Sequence, residues 1–144
     1  MIKIFLIFST VFMLNSSLFA KESQAEKIAM QNREVVKMAA KEMSSKLPQK
    51  VDEYTKLISL KAEGESLIYT FEINTGAKSD QAVIEEDKGR MGKRVTRGIC
   101  HSSKRFLDSG IQISYVYSSA ASKKQLFRFD VTRQTCKDVL GPTF

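Results

Sequence analysis

Cysteine, histidine and proline are scarce in this chain: two, one and two residues respectively. Two Cys and one His cannot complete a structural zinc site, which takes four ligands. The cysteines, Cys100 and Cys136, form no C-x-x-C pair, so a thiol-redox centre is not expected. No glycine-rich phosphate loop, metal-ligand motif or dinucleotide fingerprint is present, and no cofactor or metal is expected. Tryptophan is absent, which excludes nothing. After residue 20 no stretch is apolar enough to cross a membrane, a task that takes about 20 apolar residues.

The N-terminus is where apolar residues concentrate. Lys3 and the amino terminus precede an apolar run from Ile4 to Leu14, broken by Ser9 and Thr10. Asn15, Ser16 and Ser17 lower the hydrophobicity, and Leu18-Phe19-Ala20 ends on a small residue. This is the layout of a cleavable signal peptide over residues 1–20. No Cys stands near the cleavage point, so the thiol needed for lipid attachment is missing. The expected mature protein, residues 21–144, is one soluble domain in the periplasm or secreted. Its net charge is one unit below the +7 of the whole chain. Two cysteines behind an export signal predict a disulfide, Cys100–Cys136. A bridge closing a loop of that length contributes about 3–4 kcal/mol by limiting the unfolded chain.

Periodicity divides the mature chain into four parts. Residues 22–47 place Ile28, Val35, Met38 or Ala39, and Met43 at steps of three to four, which predicts a helix stopped by Pro48. Residues 51–74 shift to a period of two. Ile58, Leu60 and Ala62, then Leu67, Tyr69, Phe71 and Ile73, share a face, with the turn at Glu63-Gly64-Glu65. After a loop at 75–80, Ser79 or Asp80 caps a second helix. Its apolar face runs through Ile84, Met91, Val95, Ile99 and Phe106 to a stop at Asp108-Ser109-Gly110, with a break expected near Gly89–Gly92. Residues 111–134 return to a period of two through Ile111, Ile113, Tyr115, Tyr117, Phe127, Phe129 and Val131, with a turn at 118–122. Cys136 and Leu140-Gly141-Pro142 form a short tail.

The order is helix, hairpin, helix, hairpin. The predicted fold is α+β: a four-stranded antiparallel sheet with two helices packed on one face. Residues 68–73 match residues 126–131 in type at five of six positions. Such a match arises from an old duplication of an αββ unit or from chance between two amphipathic strands.

No catalytic constellation emerges. His101 stands beside Ser102 and Ser103, but sequence neighbours on a helix do not face one another, and no nucleophile-elbow pattern surrounds either serine. Glu85, Glu86 and Asp87 at a helix start are dipole partners before they are acid/base machinery. The strongest functional signal is charge. Arg90, Arg94, Arg97, His101 and Lys104 recur at three- and four-residue steps and line one side of the second helix. Such a stripe attracts an acidic envelope protein or an anionic surface. Nucleic acid is disfavoured by export from the cytoplasm.

Several features carry a resemblance. They are Leu47-Pro48 with Val51-Asp52 and Thr55, the Gly64-x-x-Leu67-x-Tyr69 hairpin, Cys100, and Gly110-x-x-x-x-Tyr115-x-Tyr117 before Cys136. In these the chain resembles small bacterial periplasmic proteins. In size, export and αβ layout it also looks like pilotin-type accessory proteins of secretion systems, which are usually lipoproteins; the lipid-bearing Cys is missing here. The expectation is a non-enzymatic accessory protein that docks to an envelope or secretion-system partner through its basic helix. An inhibitor or immunity protein that plugs a secreted enzyme with residues 75–80 or 118–124 is a second reading. A small hydrolase is a third.

Overall fold

The computed structural model describes residues 16–144, with side chains from residue 23 on. Residues 1–15 of the expected signal peptide lie outside the described residues. The chain divides into two compact units, residues 1–31 and residues 32–144. In the first, the described part is the opening of helix α1 (Ser16–Ser44), whose side chains from 23 to 31 are exposed except Ala29.

The second unit holds the rest of α1, then β1 (Gln49–Lys50), β2 (Thr55–Glu63), β3 (Ser66–Ile73), α2 (Asp80–Ser102), α3 (Lys104–Asp108), β4 (Gln112–Ser119), β5 (Gln125–Val131) and α4 (Arg133–Leu140). The five strands form one sheet in chain order. The α+β class is as expected, but the sheet is mixed. β1–β2, β2–β3 and β4–β5 pair antiparallel, whereas β3 and β4 pair parallel, with Tyr69 opposite Tyr115 and Phe71 opposite Tyr117. This corrects the all-antiparallel, four-stranded expectation. The reason is the crossover: α2 carries the chain back to the end where β3 began, so β4 sets out in the same direction.

Four local differences from the sequence reading have physical causes. First, a bulge between Leu57 and Ser59 shifts the register of β2. It turns Leu57 inward and leaves Ile58 exposed, because one extra residue moves the side chains before it to the other face. Second, α2 runs unbroken through Gly89 and Gly92. The break falls at Ser103, whose backbone leaves the helical region. Gly92 is tolerated because α2 packs closely on β5: a Cβ there would stand 3.0 Å from Cε1 of Phe129. Third, the tail is a helix, α4, started by a reciprocal Thr132–Thr135 cap. Fourth, Cys136 therefore sits on α4 and not at a strand end.

One sheet face is covered. Val36 and Ala40 of α1, Ile99 and Cys100 of α2, Leu107 of α3 and Cys136 of α4 meet Leu60, Leu67, Ile113 and Val131 of the strands in one buried cluster. A second cluster joins Leu57, Phe71, Val83, Tyr117, Leu126 and Phe127. The disulfide Cys100–Cys136, with Cα atoms 5.6 Å apart, ties α2 to α4, and both cysteines are fully buried. The start of β4 is tied to α1 by Asn32, whose Nδ2 donates to Glu65 Oε2 and to the Ser109 carbonyl, each at 2.9 Å. On the other sheet face, Ser114 donates to Asp130 (2.5 Å) and Arg128 Nε donates to the same carboxylate (3.0 Å).

Candidate partner-binding site

Helix α2 positions the basic residues. Ser79 Oγ accepts from the Ala82 N–H at 3.2 Å and starts the helix. Its inner side is set by Gly92, which lies against Phe129, and by the buried Ile99. At about 100° per residue, Arg90, Arg94, Arg97 and His101 fall within an arc of about 60° on the opposite side. All four are exposed. Arg90 donates to Asp87 at 2.5 Å. Among the described residues, Arg94 and Arg97 have no carboxylate partner. Lys104 departs from the line. It lies beyond the break at Ser103, donates to Asp108 at 2.7 Å, and sits 4.6 Å from the ring centre of Phe144. The Lys104 ammonium, with Arg133 nearby, holds the Asp108 carboxyl below its usual range. Four of the five expected stripe residues thus share one face.

The charge is concentrated there. Residues 88–107 hold seven Lys and Arg and no acid, and the whole chain has a net charge of +7. The rest of the protein is therefore balanced, and the basic face is not one sample of a uniformly basic surface.

The other residues weighed for chemistry are engaged locally or stand apart. The acids at the start of α2 pair with neighbours: Glu85 with Gln81, Glu86 with Lys78, and Asp87 with Arg90. The Ser102 and Ser103 hydroxyls lie 3.4 Å from each other, and neither bonds to His101 among the described residues. The 118–124 loop is tied to Asp80 and to the end of β3. Ser122 Oγ donates to Asp80 (2.5 Å), the Ala120 N–H to the Ile73 carbonyl (2.8 Å), and Lys123 to Glu72 (2.7 Å).

A second group of side chains is centred on the parallel pair β3–β4. Tyr69, Tyr115, Val95 and Leu47 are half-buried and border both clusters. The Tyr69 and Tyr115 rings have centres 5.0 Å apart, and Phe71 continues the row, 4.8 Å from Tyr115 and 4.9 Å from Tyr117. Val95 of α2 packs against both clusters, Met91 of α2 against the second, and Ala39 and Met43 of α1 against the first. Val35 and Met38 are 37% and 63% exposed. They lie on the flank of α1 away from Ser44, which reaches over β2 to the Leu60 carbonyl (3.1 Å).

The hydroxyls of Tyr69, Tyr115 and Tyr117 make no hydrogen bond to protein among the described residues, and none is sealed from solvent. Burial raises the ionisation of all three above the usual tyrosine value. Tyr115 is raised further by Tyr69, and Tyr117 by Tyr115 and Asp52. The Asp52 carboxyl is itself lowered, chiefly by the Tyr54 N–H it accepts at 2.8 Å. In sequence these tyrosines follow the period of two that marks one face of a strand. Tyr117 is in the core, 7% exposed, but Tyr69 and Tyr115 stand at its rim.

Comparison with known proteins follows from this geometry. The model of a family described as a domain of unknown function (DUF8479) matches residues 30–127. No curated protein matches the chain in sequence. Solved structures share the fold. A protein of Pseudomonas aeruginosa predicted to be secreted superposes with a TM-score of 0.66 at 14% identity, covering 76% of this chain and 96% of that one. The pilotin EpsS of the Vibrio vulnificus type 2 secretion system gives 0.61 at 16% identity, over 77% and 96%. The type II secretion system pilotin AspS of Vibrio cholerae gives 0.60 at 16%, over 78% and 98%.

Proposed function

The chain belongs to the family of the domain of unknown function DUF8479, and from that premise we propose that it is a non-enzymatic, extracytoplasmic accessory protein that holds a segment of an envelope partner. The reading places that segment in a cleft over Tyr69 and Tyr115, between α1 and α2; the observation that carries it is their half-buried pair of rings, with centres 5.0 Å apart. The fold shared with two secretion-system pilotins supports it, as does a fully buried disulfide suited to an oxidising compartment. The partner segment presents an apolar face to Met91, Val95 and Val35 and polar groups to the tyrosine hydroxyls. The basic face of α2, with Arg90, Arg94, Arg97 and His101, supplies attraction to the anionic side of the envelope. In this reading the periplasm is the working compartment.

Site-directed photo-cross-linking tests it. Probes replace Met38 and Met91 beside the cleft and Thr70 on the far side of the sheet. One and the same envelope protein cross-linked from 38 and 91, and not from 70, supports the reading. Val35→Glu/Met38→Glu, which alters only exposed positions, then removes those adducts while the circular dichroism spectrum stays unchanged. Adducts spread equally over all three probes, or none from 38 and 91, overturn it.

A further inference from the structure

The outward face of α2 is a second interaction surface, separate from the cleft, and we infer that its partner is a bilayer rich in anionic phosphate headgroups. Three observations lead there. Residues 88–107 carry as much positive charge as the net charge of the whole chain. Arg90, Arg94, Arg97 and His101 are exposed along a line about 16 Å long on a rigid helix. That helix is fixed from behind by Gly92 against Phe129 and by the disulfide at Cys100. Two of its guanidinium groups, on Arg94 and Arg97, lack a carboxylate partner among the described residues. Guanidinium groups bind phosphate oxygens two at a time.

What separates a bilayer from an acidic protein is the missing anchor. Among the described residues, no large apolar side chain is exposed between Asp80 and Asp108. A protein interface draws its affinity from a desolvated aromatic or apolar centre, and charges at a wet surface add little. A charged bilayer needs no such centre: each basic residue near it adds its own increment, and the sum binds. The face has many cations and no apolar centre. It therefore suits adsorption on headgroups without insertion.

Vesicle co-sedimentation of the full chain tests this. Phosphatidylcholine vesicles set the baseline, which includes any apolar adsorption. Vesicles carrying about 30% phosphatidylglycerol are the probe, because their surface potential draws basic residues. Partitioning on the anionic vesicles is expected to exceed the baseline at least about a hundredfold. The excess vanishes in about 0.5 M salt, where the screening length falls below about 5 Å. Arg94→Glu/Arg97→Glu lowers the excess at least about thirtyfold, and Arg94→Lys/Arg97→Lys keeps most of it. Partitioning no higher on anionic vesicles than at baseline overturns the inference. So does an excess that the Glu variant leaves unchanged. Retention on poly-L-glutamate without vesicle binding also overturns it and assigns the face to an acidic protein. The cleft proposal stands or falls separately, since its cross-linking probes lie on other surfaces.

Discussion

Gly92 lies against the ring of Phe129, so close that a Cβ at Gly92 would meet Cε1 at 3.0 Å. At Gly89 and Gly98 an added Cβ would meet nothing within 4 Å. The three glycines of α2 therefore differ in what a methyl group does. Gly89→Ala and Gly98→Ala each stabilise the protein by about 0.5–1 kcal/mol, through helix propensity alone. Gly92→Ala forfeits that gain and loses about 1–3 kcal/mol relative to them, because the ring must move. Urea unfolding midpoints of the three variants check this; a Gly92→Ala midpoint equal to the other two would show that α2 does not press on β5.

Asn32 spends both N–H bonds of its amide on groups distant in sequence, Glu65 and the Ser109 carbonyl. Asn32→Ala leaves that carbonyl and that carboxylate without their donor and costs about 1–3 kcal/mol. The double variant Asn32→Ala/Glu65→Ala should cost less than the sum of the two single variants, measured by chemical denaturation. Simple additivity would mean the pair does not interact.

The disulfide spans 36 positions. Cys100→Ala/Cys136→Ala is expected to lower stability by about 4 kcal/mol, chiefly by freeing the unfolded chain. Thiol titration of the denatured, unreduced protein should find no free thiol; two would refute the bridge.

The cleft tyrosines predict a limit at high pH. Burial raises the ionisation of Tyr69, Tyr115 and Tyr117 above the ordinary value of 10.0. Above that value the unfolded chain gives up protons that the folded protein keeps, so unfolding becomes easier as pH rises. Below pH 10 this contribution is constant; above it, stability falls. Phenolate absorbance should lag behind the ordinary titration while the protein is folded and then rise together with loss of the circular dichroism signal. Ionisation of every tyrosine near pH 10 with the fold intact would contradict the burial described.

The bulge in β2 predicts unequal neighbours. Leu57 is buried and Ile58 exposed. Leu57→Ala is expected to cost about 2–5 kcal/mol, and Ile58→Ala within about 0.5–1 kcal/mol of zero. Equal costs, read from thermal or urea unfolding, would argue for the unbulged register.

Features governed by nearby residues were legible in the sequence. Pro48 ends the first helix region, Gly64 makes a turn with φ of 57°, and Ser79 caps α2; each depends on a few neighbours. The pairing of Cys100 with Cys136 was legible because no other partner exists. The bulge was not, since Ile58, Leu60 and Ala62 keep an unbroken period of two while the strand does not. α4 was hidden by its eight residues, though Thr132 followed by Thr135 offered a capping signal. The parallel pairing depends on which strands of the two hairpins meet, which α2 decides at long range. The basic face was readable from its spacing. The half-buried state of Tyr69 and Tyr115 was not: both obey a core pattern, and their exposure depends on how the helices pack over the sheet, which is decided at long range.

The edge of β2 has one more consequence. β1 covers it only at Lys56 and Leu57, which leaves the strand open from the bulge to Glu63. Unpaired edges of this kind recruit strands from other molecules and seed aggregates. Here the bulge twists the edge, Ser44 occupies the Leu60 carbonyl, and Lys56 and Lys61 place exposed charge along the strand. Together these make the open side of the sheet a poor template for a second copy.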